Sequence, residues 1–456
     1  MTRPTLYTAD WVLPISTSPI RQGAVLVENG RIAYVGTEAH APTQGRPDVV
    51  VMALGRSVLM PGLVNAHSHL ELTALRGFLE GLEFRTWLVT LNAIRRDLLD
   101  ADALRDASRA GVREALRYGI TTLADTTESG APLVAMRELG VRGIGYLEVF
   151  GPDVAQSPDA VAALADKVTR HRLDDTALVR TGVSPHAPYS VSAPLFRATA
   201  ALARAERLPL AVHVAESAAE HRFVAEGEGP FADRLRARGI TVAPQARSPI
   251  ALLGETGVLD AQPLLIHVVH ADDADFTQIA DAGATIVHCP TSNAKLGQGI
   301  APLDRMLAHR IPTGLGTDSV ASNDRMDLLG EARQATLFHA LRSGVPDSLS
   351  AHEALALATL GGAKALGLDA QIGSLDVGKE ADLVAFPLDL AEAGPVYDPS
   401  VTLVHVLAGT IRASLVTVAG QELVRHGVVT APDDGLAERM AAIAVRLQEW
   451  RQRPPA

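Results

Sequence analysis

Short runs of Val, Ile and Leu recur along the chain, and most of them end in polar residues. Alternating with the runs are Ala-, Leu- and Arg-rich segments with helical spacing, at 101–117, 159–173, 193–206, 272–282 and 324–342. Strands that alternate with helices favour parallel pairing. The eight runs lie at 58–69, 119–126, 141–150, 179–187, 208–217, 263–270, 284–293 and 312–319. This pattern predicts an α/β fold with a closed (β/α)₈ TIM barrel. An open doubly wound sheet is the alternative, but no Gly-rich phosphate turn follows the first run.

The two ends of the chain have a different pattern. "GAVLVENGRIAYVG" places Asn-Gly between two alternating runs, which predicts a hairpin. Further strand–turn–strand segments occur between residues 371 and 430. We therefore predict a small β-sandwich domain from residues 1–58 and 367–430, a barrel domain from 59–366, and a C-terminal helix and tail at 431–456.

Composition narrows the class of protein and its location. Hydrophobic residues make up 47% and charged residues 20% of the 456 residues, which is typical of a globular protein. A net charge of −11 argues against nucleic acid as a partner. Cys289 is the only cysteine, which fits a reducing cytoplasm and excludes an internal disulfide. Neither a signal peptide nor a membrane span is evident, so we expect a cytoplasmic protein with no membrane partner.

The first run ends in His67 and His69, within "PGLVNAHSH". Alternate residues of a strand point to the same side, so both imidazoles could face one metal ion while Ser68 points away. The alternative is one histidine bonded to the backbone and one facing solvent. Other runs also end in candidate ligands or proton carriers, namely His186, His213, Glu216, His270 and Asp318. Because working residues of such barrels collect at the carboxyl ends of the strands, this coincidence favours a metal site.

Three imidazoles and one carboxylate suit a borderline ion such as Zn²⁺, with one position left open for water. Zn²⁺ lowers the pKa of bound water toward roughly 7. Attack on an electron-poor carbon then needs a proton delivered to the neighbouring atom, and Glu216 is the candidate shuttle. The alternative for Glu216 is a surface glutamate at the start of a helix.

The chain resembles the amidohydrolase superfamily, in its chlorohydrolase and deaminase branch. The resemblance rests on "PGLVNAHSH", "LRGFLEGLEFRTWL", "SPHAPYSVS", "HVAES", "HCPTSNAKLG", "GTDSVASN" and "GSLDVGKEADLV". It implies that one divalent ion, Zn²⁺ or alternatively Fe²⁺, Mn²⁺ or Ni²⁺, binds His67, His69, His213 and Asp318. It also implies that Glu216 moves the proton, that His270 holds the attacking water, and that His186, Glu216 and Asp318 touch the substrate. Glu216, His270 and Asp318 are thus the predicted catalytic residues. Binuclear relatives use a lysine after the fourth strand, which "LVRTGVSPHAPYS" lacks, so we expect one ion.

The chain also departs from the resemblance. In the nucleoside deaminases a glutamate grips the sugar hydroxyls where this chain has Arg95 and Arg96. A guanidinium cannot accept hydrogen bonds, but it suits a carboxylate or phosphate, so we name Arg96 as a substrate-binding candidate. Two solvated arginines on a helix face are the alternative. A long insertion at 229–249 predicts an extra lid or loop over the site.

Three hypotheses for function follow. The first is a metal-dependent aminohydrolase that acts on an amino-substituted nitrogen heterocycle. Its expected substrate is a 5′-modified adenosine such as S-adenosylhomocysteine, methylthioadenosine or aminodeoxyfutalosine. The second is a chlorotriazine or cyclic-amide hydrolase with the same machinery. The third is a non-catalytic metal-binding protein, although binding alone requires neither Glu216 nor His270. A homo-oligomer, most simply a dimer, is the expected assembly.

Overall fold

The structure, a computed structural model, describes residues 3–452, so the final four residues of the predicted tail lie outside the described part. The described residues form a mixed α/β fold. The strands are β1 Thr5–Val12, β2 Ile20–Glu28, β3 Arg31–Thr37, β4 Val50–Ala53, β5 Ser57–Pro61, β6 Leu63–Ser68, β7 Ile120–Thr127, β8 Arg142–Val149, β9 Val179–Pro185, β10 Ala211–Val214, β11 Leu264–His267, β12 Thr285–His288, β13 Thr313–Leu315, β14 Leu383–Pro387, β15 Leu415–Val418, β16 Gln421–Arg425 and β17 Val428–Val429.

Helices follow most of the central strands, as the alternating pattern predicts. Among them, α2, α4, α5, α9 and α13 overlap the five segments with helical spacing. The α-helices are α1 Phe84–Leu98, α2 Ala101–Arg117, α3 Ala131–Leu139, α4 Ser157–Arg172, α5 Ala193–Glu206, α6 Ala218–Glu226, α7 Pro230–Ala237, α8 Pro249–Glu255, α9 Asp273–Ala282, α10 Pro290–Lys295, α11 Leu303–Ala308, α12 Val320–Asn323, α13 Leu328–Ser343, α14 Ala351–Ala356, α15 Gly362–Ala365, α16 Pro399–Val401 and α17 Leu436–Arg451.

The eight strands β6 to β13 form two four-stranded parallel sheets in sequential order, β6-β7-β8-β9 and β10-β11-β12-β13. Single parallel bridges connect the two sheets at both junctions. Val183 of β9 bridges Leu210, and Ser68 of β6 bridges Asp318. Because all eight strands run the same way, their carboxyl ends meet at one end of the fold.

Strands from both ends of the chain form one nine-stranded sheet. Its order is β17-β16-β15-β14-β5-β1-β2-β3, and β4 pairs with the first half of β1, on the same edge as β5. The predicted hairpin at Asn29 and Gly30 is confirmed, since β2 pairs antiparallel with β3 and both turn residues have positive φ. Arg142 of β8 is buried and bonds Asp382 and Glu380, which precede β14. This ion-pair network fastens the parallel strands to the nine-stranded sheet.

The first predicted strand, 58–69, is two strands in the structure. β5 belongs to the nine-stranded sheet, where it pairs with β1 and β14, whereas β6 belongs to the parallel set. Gly62 lies between them, and a Cβ there would approach the side chain of Thr121 to 2.2 Å. Only glycine therefore allows the close crossing at which the chain leaves one sheet for the other.

Candidate metal centre and active site

His67 and His69 lie at the carboxyl end of β6, and their rings are 4.8 Å apart between centroids. The hydroxyl of Ser68 donates instead to Asp125 Oδ2, at 2.8 Å, on the neighbouring strand β7. The alternation of a strand therefore sends the two imidazoles one way and the serine the other. Asp125 also accepts from the amide of Leu70, at 2.7 Å, which holds the turn just after His69.

His213 and Asp318 complete a four-residue cluster with this pair. His67 Nε2 lies 3.1 Å and His69 Nε2 3.4 Å from Asp318 Oδ1, and His213 Nε2 lies 3.4 Å from His69 Nε2. Ligand atoms arranged tetrahedrally around Zn²⁺ at about 2.0–2.1 Å are separated by about 3.3 Å. The observed separations fit an ion of this size at the centre of the cluster.

The protonation of these imidazoles also suits a metal ion. Burial lowers the pKa of His69 to about 3 and the pKa of His213 well below its usual value, so both rings are neutral near pH 7. His213 Nδ1 lies 3.2 Å from the backbone carbonyl oxygen of His186, to which it donates, and this leaves the Nε2 lone pair toward His69. His69 and His213 therefore present neutral ring nitrogens to the cluster, as metal ligands must.

The fourth histidine at this centre is His267, not His270. His267 ends β11, and the ligand atoms of His67, His267 and Asp318 lie within 4.8 Å of one another. Its Nδ1 donates to Asn293 Oδ1 at 2.9 Å, so its Nε2 faces Glu216 Oε1 at 3.8 Å. The predicted placement of His270 is thus corrected. β11 ends three residues before His270, whose Nε2 lies 3.0 Å from the Gln298 backbone oxygen.

Glu216 lies in the turn after β10, with its carboxyl group facing the metal cluster. The amides of Ala215 and Glu216 donate to the buried carboxyl of Glu220, at 2.8 and 3.0 Å, which fixes this turn. Burial raises the pKa of Glu216 well above its usual value, and the nearby charge of Asp318 acts in the same direction. Both effects favour the protonated form of this carboxyl group, the form that a proton donor requires.

The backbone around the centre adopts a conformation that is rare for residues other than glycine. Ala215, His267, Val268 and Asp318 have φ angles of 52°, 75°, 45° and 57°. Such left-handed conformations cost free energy and persist where the surrounding structure enforces them, often at functional sites. Here they direct the side chains of His267 and Asp318 to the same point.

One end of a cavity of about 250 Å³ is lined by His69, His213, Glu216, His267 and Asp318. His186 lines it, with Nδ1 2.7 Å from the hydroxyl oxygen of Ser190. The long insertion contributes two apolar side chains, Phe231 and Leu235, and two basic ones, Arg234 and Arg238, to the lining. The predicted lid over the site corresponds to this helix and its flanking loops.

Arg95 and Arg96 have different environments. Arg95 lines the cavity, but its Nη2 lies 2.7 Å from Glu71 and 2.9 Å from Glu128. The side chain of Arg96 is 74% exposed and bonds Asp97, so the placement predicted for Arg96 beside the substrate is corrected. Arg95 and Arg96 are consecutive residues of α1, so their side chains point in different directions, one toward the cavity and one toward solvent.

Two buried carboxyl groups near Arg95, those of Glu71 and Glu148, are not among the site residues predicted from the sequence. Glu71 is 1% exposed and accepts from Thr127, Ser129 and two backbone amides as well as from Arg95. Glu148 lines the cavity, and burial raises the pKa of Glu148 to about 8 while the charge of Arg95 opposes the rise. The sequence does give one indication of Glu148, because it is the only charged residue within the apolar run "GYLEVF".

Comparison with known proteins agrees with this architecture. Residues 58–433 match the model of the amidohydrolase family. A 5-methylthioadenosine/S-adenosylhomocysteine deaminase from Moorella thermoacetica is 31% identical over 92% of this chain and 94% of its own. A crystal structure of an adenosine deaminase from Xanthomonas campestris with bound zinc superimposes with a TM-score of 0.86, at 27% identity, over 98% of each chain. A zinc-complexed atrazine chlorohydrolase from Arthrobacter aurescens gives a TM-score of 0.82 at 26% identity, over 96% of this chain and 100% of that one.

The chain belongs to the amidohydrolase family and is a hydrolase that acts on carbon–nitrogen bonds other than peptide bonds. Within residues 3–452, none of the helices combines the length and apolar character needed to cross a membrane.

Proposed function

We propose that the chain is a metal-dependent deaminase in which water replaces the amino group of an adenosine-type nucleoside and ammonia is released. The observation that carries this proposal is the convergence of three imidazoles and Asp318 beside the buried carboxyl group of Glu216, at one end of a single cavity. The deaminases among its relatives support the reaction and the substrate class. The substrate we propose is a 5′-modified adenosine, such as S-adenosylhomocysteine, methylthioadenosine or aminodeoxyfutalosine.

The proposed architecture is one closed (β/α)₈ barrel, β6 to β13, beside a small β-domain from both chain ends. The two parallel bridges between the four-stranded sheets support closure. Because β5 pairs with β14, we set the domain boundary near Gly62. In this architecture the metal centre occupies the carboxyl end of the barrel strands, where catalytic residues of such barrels lie.

One divalent ion, with Zn²⁺ favoured, is proposed to bind His67, His69, His213 and Asp318. When bound, such an ion lowers the pKa of a coordinated water molecule toward roughly 7. Glu216 is proposed to deliver its proton to the ring nitrogen beside the carbon under attack, because that nitrogen gains charge as the bond forms. His267 orients the attacking water, and His186 contacts the substrate ring.

We expect substitution of His267 to lower kcat far more than substitution of His270. His267→Asn should lower kcat by about 10²-fold, as expected when a group beside the reacting atoms is removed. His270→Asn should stay within about twofold of the wild type, because this ring bonds a loop carbonyl outside the cavity lining. Steady-state kinetics of the two variants with the same nucleoside compare them directly. The reverse order of effects would return the catalytic role to His270.

Substitution of Arg95 and substitution of Arg96 should also differ, in their effect on the stability of the protein. Arg95→Ala leaves the buried Glu71 without its cation, so the free energy of unfolding should fall by about 3 kcal/mol. Arg96→Ala removes an exposed ion pair, which contributes less than about 1 kcal/mol, and should leave KM unchanged for acidic and neutral substrates alike. Urea denaturation and paired KM values measure both effects. A rise in KM confined to an acidic substrate in Arg96→Ala would restore its predicted role.

An ammonia-release assay tests the proposed function. Metal-loaded protein is offered purine and pyrimidine nucleosides, with 5′-methylthioadenosine and S-adenosylhomocysteine among them. Release from adenine nucleosides, with the hypoxanthine product seen by absorbance, is the expected result. Release of chloride from a chlorotriazine without ammonia from any nucleoside would replace deamination by the chlorohydrolase reaction.

A further inference from the structure

Glu148 is a carboxyl group inside the cavity with an unused acceptor. It lies near the end of β8, is 4% exposed, and its Oε1 has no hydrogen-bond partner among the described residues. It lines the same cavity as the metal cluster, and ligand atoms of Glu148, His186 and His213 lie within 4.8 Å of one another. The carboxyl group is therefore placed where it can reach a bound substrate.

The protein supplies no donor for this oxygen. Arg95, which lines the same cavity, is engaged by Glu71 and Glu128 at 2.7 and 2.9 Å. A buried polar atom without a partner costs free energy, and most such atoms in folded proteins are bonded. A donor on the molecule that occupies the cavity would remove this cost.

The substrate class identifies that donor. In an adenine nucleoside the free ring nitrogens accept hydrogen bonds, and the 6-amino group reacts at the metal centre. The remaining donors common to the class are the ribose 2′- and 3′-hydroxyls.

We propose that Glu148 forms hydrogen bonds with the ribose hydroxyls and so selects ribonucleosides over their deoxy analogues. This inference rests on the proposed nucleoside deamination. A site built to bond a substrate hydroxyl rejects an analogue without it, because its own buried polar group is then left unpaired. Glu148 is thus a specificity residue on β8, a different element from the helix that carries Arg96.

The wild-type chain tests the proposal without any substitution. We compare kcat/KM for 5′-methylthioadenosine with the values for its 2′-deoxy, 3′-deoxy and 2′,3′-dideoxy analogues. The dideoxy analogue should react about 10- to 100-fold less efficiently than the parent. Equal efficiencies would overturn the inference while leaving deamination intact. Absence of ammonia from all four compounds would instead count against the proposed function.

Substitution then assigns the discrimination to Glu148. Glu148→Ala should bring the parent-to-dideoxy ratio to within about threefold, mainly by raising KM for the parent. Glu148→Gln should keep part of the discrimination, because its amide oxygen still accepts a hydrogen bond. Glu138→Gln, on the surface helix α3, is the matched control and should keep the wild-type ratio. Metal content is measured for each variant. Loss of an ion from the Glu148 variants, or an unchanged ratio in folded protein, would overturn the assignment.

Discussion

Glu216→Gln should lower kcat by about 10²–10⁴-fold while the protein keeps its metal ion. The amide preserves the shape of the side chain and its fit in the turn fixed by Glu220, but it cannot hold and release the proton. The buried position that raises the pKa of Glu216 is the physical reason for assigning it this role. Steady-state ammonia release and metal analysis of the same preparation measure the two quantities.

The control for this substitution is Glu226→Gln, on the exposed end of α6, where a glutamate contributes only a surface ion pair. It should leave both kcat and metal content unchanged. A Glu216→Gln protein that lost its ion would contradict the proton-transfer role. Glu216 would then be part of the structure that holds the metal.

Removal of the metal should abolish activity. Purified protein should contain about one transition-metal ion per chain, because the three imidazoles and Asp318 surround a single point. Dialysis against a chelator should remove the ion and the activity together, and Zn²⁺ should restore both. The melting temperature should fall on chelation, since binding to the folded state alone stabilises it.

Two ions per chain would contradict this assignment. Glu148, His186 and His213 form a second group with ligand spacing, so metal analysis of Glu148→Gln identifies that case. One ion in both wild type and variant supports a single centre.

Periodicity predicted most of the architecture because buried parallel strands produce apolar runs that end at polar residues. His67, His69, His213 and Asp318 were identifiable for the same reason, since each follows such a run. The boundary between β5 and β6 could not be predicted from the sequence, because both strands are largely apolar and only Gly62 lies between them. The crossing at Gly62 depends on the distance to Thr121, a residue far away in sequence.

The errors within the site have a similar origin. "PLLIHVVH" contains two histidines, and the choice between them depends on where β11 ends. The strand ends where His267 and Val268 adopt left-handed backbone conformations. Neither residue is a glycine or an asparagine, so the sequence does not indicate this conformation. The environments of Glu148 and Arg95 could not be predicted for another reason, since they depend on neighbours from other helices and strands.

The nine-stranded sheet has a consequence for synthesis of the chain on the ribosome. One edge of β5 pairs with β14, and Leu383, the first residue of β14, follows Pro61 by 322 positions. At about 5–20 residues per second, that edge waits roughly 15–65 s for its partner. During this time an apolar strand with unpaired backbone groups is exposed to other nascent chains. The nascent protein is therefore most vulnerable to aggregation after the parallel strands have emerged and before the final strands arrive.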